Sequence, residues 1–156
     1  MMKYVALLSM MFMACRPQDQ GKSAVEEGLP IVGTWKLLKG TLVEKGDTTV
    51  TDYANGKLSF IKVINGTHFT FLSHDLEKGK DSAAANFSAG GGRYTLQGST
   101  YTEHLEFCND RAWEGNDFSF QVTIKGDTLV QTGVEKVAAT GVDRQNTEVY
   151  VRYGNH

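Results

Sequence analysis

The chain predicts an all-β fold, an antiparallel up-and-down barrel of about eight strands, and three observations lead there. Proline is confined to Pro17 and Pro30, whereas glycine (17 residues), threonine, tyrosine, phenylalanine and valine are plentiful, a mixture that suits long strands joined by tight turns. Residues 118–125 (FSFQVTIK) alternate apolar and polar side chains without a break, the period-two signature of a half-buried strand. The dipeptides Asn65-Gly66, Gly98-Ser99 and Gly126-Asp127 each separate two strand-like runs, as hairpin turns do.

The chain opens with a weakly basic start at Lys3 and a short apolar run over residues 5–13. That run is far below the roughly 20 residues a membrane-spanning helix needs, so residues 1–14 read as a removable export signal. Phe12-Met13-Ala14-Cys15 resembles the lipobox of bacterial lipoproteins, which implies lipidation of Cys15 as the mature N-terminus. Arg16, where an inner-membrane lipoprotein would carry Asp, implies the outer membrane, and the absence of an acidic run after Cys15 implies its periplasm-facing side. Residues 15–30 are then the lipidated cysteine and a polar, flexible tether. The barrel domain occupies residues 31–156.

Strands are expected at 35–43, 58–64, 68–72, 93–97, 101–107, 118–125, 128–132 and 148–153. Residues 74–92, with their Ala83-Ala84-Ala85 and Gly90-Gly91-Gly92 runs, read as a mobile loop at one barrel mouth, the glycines as its hinge. Residues 134–143 leave room for a short turn of helix. The net charge of −2 and the lack of a basic stripe argue against a nucleic-acid partner. Cys108, alone in the mature domain, reads as a small buried hydrophobe.

Gly33-Thr34-Trp35 at the start of the first strand and Arg152 in the last resemble the signature of lipocalins and the wider calycin superfamily. In a closed barrel the first and last strands are neighbours, so the Arg152 guanidinium can stack on the Trp35 indole. More closely, His68-Phe69, Gly92-Arg93-Tyr94, Tyr101-Thr102-Glu103 and the run from Glu148 to Arg152 resemble bacterial lipocalin-like lipoproteins of uncharacterised function. The disulfides of many secreted lipocalins are absent.

Strand alternation sorts the candidate site. If Arg152 lies over Trp35, then Tyr150 and Glu148 face inward with it, and on the strand 101–107 Tyr101, Glu103, Leu105 and Phe107 share one face, the inner one if apolar residues are buried. Glu103, Glu148, Tyr101, Tyr150 and Arg152 are then expected either to form an internal ion-paired network or to orient the polar head of a ligand. Phe69, Phe71, Phe118 and Phe120 are expected as apolar lining or as plain core. His104 and Glu106 fall on the opposite face from Glu103, and no third ligand is spaced to complete a metal site with His68. Gly90-Gly91-Gly92 lacks the Lys-Ser or Lys-Thr of a phosphate-binding loop, and no Gly-x-Ser-x-Gly elbow is present.

The expected activity is non-catalytic binding of a small apolar or amphipathic molecule inside the barrel, with no cofactor. The alternatives are a packed barrel serving as a protein-interaction module in an envelope complex, and a calycin-type enzyme using Glu103 and Glu148 as an acid–base pair.

Overall fold

The computed structural model describes residues 29–83 and 85–154, so the export signal, Cys15 and most of the tether lie outside the described residues. The strands are β1 (Gly33–Glu44), β2 (Asp47–Asp52), β3 (Leu58–Ile64), β4 (His68–Asp75), β5 (Phe87–Gln97), β6 (Thr100–Cys108), β7 (Asp117–Lys125), β8 (Thr128–Val137) and β9 (Val142–Arg152). Every pairing is antiparallel, and β1 pairs with β9 to close the ring. The result is a closed eight-stranded barrel with one extra strand, β2. That strand takes the upper part of the edge of β1 (Lys39–Glu44), while β3 takes the lower part (Gly33–Lys36).

The turn signals act as expected. Gly98-Ser99 and Gly126-Asp127 make two-residue hairpins whose first residue has positive φ (58° and 56°), where glycine carries no steric penalty. Asn65 works differently: its side-chain oxygen accepts from the backbone nitrogens of Thr67 (2.8 Å) and His68 (2.7 Å), holding the β3–β4 turn from within. Lys45-Gly46, both at positive φ, turns β1 into β2, a hairpin that the sequence reading did not resolve.

Three expectations are corrected. The segment 74–92 is not one loop: β4 runs to Asp75 and β5 begins at Phe87, so Gly90, Gly91 and Gly92 lie within a strand. They are there for close approach, because a Cβ on Gly90 would fall 2.6 Å from the Phe71 ring and one on Gly92 would run into the His104 carbonyl. Residues 134–143 hold no helix; β8 continues to Val137 and turns into β9 at Val142. Phe107 points outward and is 69% exposed. The β5–β6 register shifts at Gly91/Gly92, where Leu105 faces Gly92 and Phe107 faces Gly91, leaving Glu106 as an extra residue. This bulge inverts the alternation beyond it, so Cys108 turns inward in place of Phe107.

At one end the bore is solid. Trp35, Ile31, Leu129, Val122 and Ile64 are buried there, and the Trp35 indole nitrogen donates to the Ile31 carbonyl at 2.7 Å. The Arg152 guanidinium carbon sits 4.2 Å from the Trp35 ring centroid, while Nη1 and Nη2 donate to the Val32 and Pro30 carbonyls. Gly33 makes this possible: its φ is +147°, and a Cβ there would lie 2.5 Å from Arg152 Nη1. Among the described residues, all the strands and the buried apolar core fall between Ile31 and Arg152.

Candidate functional site

Above the filled end the bore opens into a cavity of about 330 Å3. Its floor is built around a residue that the strand pattern did not single out, Lys62. Lys62 sits on β3 between Phe60 and Ile64, and alternation turns all three inward. Its side chain crosses the bore to reach partners on three other strands. Nζ donates to Glu103 on β6 at 2.7 Å and to Gln131 on β8 at 3.2 Å, and lies 3.9 Å from Glu148 on β9. The rings of Phe69, Tyr101, Phe120 and Tyr150 surround it at 5.4–6.0 Å. Burial alone would drive this ammonium toward the neutral amine. The Glu103 and Glu148 carboxylates outweigh burial and hold its pKa above the ordinary lysine value.

Glu148 is fixed by neutral donors: Gln131 Nε2 at 2.6 Å and the Tyr150 hydroxyl at 2.8 Å both donate to its Oε2. A second polar group lies higher up. Glu135 accepts from Arg144 (2.7 Å) and Asn146 (2.8 Å), and the Arg144 guanidinium stacks 5.2 Å from the Trp113 ring centroid. Aromatic walls complete the chamber: Phe60 stacks on Phe71 at 5.8 Å with Tyr53 against its edge, and Trp113 packs on Phe118.

The sequence-derived candidates separate into three groups. Glu103, Glu148, Phe71, Phe118 and Phe120 line the cavity. Tyr101, Tyr150 and Phe69 are fully buried around Lys62 and do not line it. Arg152 takes no part in a network with Glu103 or Glu148. It belongs to the closed end, and the expected Glu–Arg–Tyr network is instead a Glu–Lys–Gln–Tyr network, because Lys62 reaches the bore centre and Arg152 stops at the indole. The lone lysine in the otherwise apolar run 60–64 was the available signal for Lys62. Gln131, Glu135 and Asn146 could have been found by carrying the β8 and β9 alternation through to their shared turn.

Tyr101 has the one buried side-chain polar atom without a hydrogen-bond partner among the described residues, its hydroxyl. Burial, then the nearby Glu103 charge, pushes its pKa far up, so it stays protonated. An unpaired buried hydroxyl costs about 1–3 kcal/mol. Tyr101→Phe is therefore expected to leave the barrel as stable or to stabilise it by about 1 kcal/mol. A urea-denaturation midpoint lower than that of the wild type would show that the hydroxyl is satisfied after all. Burial likewise pushes the Tyr150 hydroxyl and the half-buried Cys108 thiol upward. Among the described residues, no three His, Cys, Asp or Glu side chains gather as a cation site would require.

No protein-family model and no curated protein matches this chain. The eight-stranded antiparallel barrel fits a lipocalin-like fold, with Gly33, Trp35 and Arg152 in contact where its first and last strands meet.

Proposed function

We propose that this protein is a lipid-anchored, lipocalin-like binding protein that takes a small apolar or amphipathic molecule into the barrel without converting it. The carrying observation is the cavity of about 330 Å3 with aromatic walls over a polar floor. Eight strands enclose a bore that side chains can fill completely or leave open for one small ligand. Here they fill one half and leave the other open. Burial of ligand surface at about 25 cal/mol per Å2 would supply affinity, and the floor would set orientation.

Anchoring at Cys15 would hold the barrel on the periplasmic side of the outer membrane, and Cys15→Ala should release it from the membrane fraction.

Native mass spectrometry of the soluble domain, exported to the periplasm and purified from it, tests the binding reading. A discrete extra mass that leaves on denaturation is expected. A bare polypeptide mass, together with failure to take up any of a panel of fluorescent lipids, would overturn it. The interaction-module reading has one observation in its favour: Leu72, Phe87 and Phe107 are exposed on the outer face of β4, β5 and β6. Its requirement of a filled interior conflicts with the cavity.

A further inference from the structure

The hydrogen-bond inventory of the cavity specifies the ligand's polar end. Lys62 is committed: it donates to Glu103 Oε1 and Gln131, and its remaining proton has Glu148 Oε2 at 3.9 Å. Arg144, the other cation in the lining, is bonded to Glu135. The acceptors are not all committed. Glu103 Oε2 and Glu148 Oε1 receive no hydrogen bond from the described residues, whereas both oxygens of Glu135 do. The lining as a whole carries four carboxylates (Glu103, Asp110, Glu135 and Glu148) against two cations. Six aromatic rings line the same space (Tyr53, Phe60, Phe71, Trp113, Phe118 and Phe120), and ring faces attract cations.

The geometry points to a cationic amphipath as the ligand: a protonated primary or secondary amine on a compact apolar body, its ammonium donating to Glu103 and Glu148. This rests on the binding reading above and narrows it. The volume, near the lower end of the roughly 300–1,000 Å3 of small-molecule sites, suits a small body, not a long acyl chain. A carboxylate or phosphate head would meet two carboxylates and a lysine already bound to them. It would have to break an existing ion pair to find a partner, at the cost of an unpaired buried charge. An ammonium breaks nothing, since it fills vacant acceptor positions with charge-assisted hydrogen bonds.

Calorimetric titration of the full-length protein at pH 7 with three probes of one shape tests this: 3-phenylpropylamine, 3-phenylpropanol and 3-phenylpropanoate. The amine is expected to bind at least about tenfold tighter than the alcohol, and the carboxylate weakest of the three. Glu148→Gln, shown by circular dichroism to remain folded, should reduce the amine's advantage to about threefold or less and leave alcohol binding in place. Asp47→Asn, exposed on β2 and outside the lining, should preserve the ranking. The wild-type ranking alone decides the sign of the charge, so the test survives a variant that does not fold. Equal binding of amine and alcohol, or tightest binding of the carboxylate, would overturn the cationic assignment and leave the cavity reading standing. Binding of none of the three would remove both.

Discussion

Lys62→Met should destabilise the barrel by about 3–5 kcal/mol at neutral pH, the range for removing one partner of a buried ion pair. The side chains of Lys62 and Glu103 are 4% and 9% exposed, and Nζ and Oε1 lie 2.7 Å apart, so solvent screens little of the interaction. Methionine conserves the stem but strands Glu103 and Glu148 in a ring of aromatic side chains. The loss is expected to exceed that of Glu103→Gln, because Lys62 compensates two carboxylates. Adding Glu103→Gln to Lys62→Met should recover part of the deficit, since one stranded charge is then gone. Denaturant midpoints of the single and double variants give the coupling directly.

The same pair has a pH signature in the wild type. The folded-state pKa of Lys62 lies above its ordinary 10.5. A raised cationic group contributes stability that is fully present below the unfolded value and lost as pH rises through the folded one. Wild-type stability should therefore fall above about pH 10.5 more steeply than that of Lys62→Met. Parallel alkaline limbs in the two proteins would mean that the ammonium is not held by its carboxylates.

Trp35→Ala should cost a comparable amount, about 3–5 kcal/mol, by leaving a void at the closed end. Trp35 is wholly buried, and its loss also frees the Ile31 carbonyl and removes the surface on which Arg152 rests. Arg152→Ala should cost less, about 1–2 kcal/mol, because the indole stays packed and only the stacking and the bonds to Pro30 and Val32 go. The only other tryptophan, Trp113, lines the cavity at the opposite end of the bore. Its fluorescence in Trp35→Ala should therefore stay native-like below the shifted unfolding transition. A loss under 1 kcal/mol would mean that the end layer repacks around the gap.

Barrel class and the hairpins at Asn65-Gly66, Gly98-Ser99 and Gly126-Asp127 were legible because they depend on local chemistry. Alternation at 118–125 and the glycine turns need only neighbouring residues, whereas Gly33, Trp35 and Arg152 were picked out by their resemblance to the lipocalin signature. The aromatic residues Phe71, Phe118 and Phe120 and the carboxylates Glu103 and Glu148 were also found, since strand period two assigns a face. The pattern failed where a single residue shifts register. The extra residue at Glu106 reversed the faces of Phe107 and Cys108, and a run of three glycines looked like a hinge although its missing side chains make room for Phe71 and the bulge.

What the sequence by itself determined is the barrel and part of its lining, Phe71, Phe118, Phe120, Glu103 and Glu148. Which residues meet in the bore was decided only by the tertiary structure. Lys62 and Glu103 are 41 positions apart, and Lys62 and Gln131 are 69 apart. Their contact depends on how far each side chain reaches across a bore whose width is set by eight closed strands. The balance between filled and open volume depends likewise on side chains from every strand at once. No local pattern encodes it, and on that balance rests the difference between a packed barrel and one that holds a ligand.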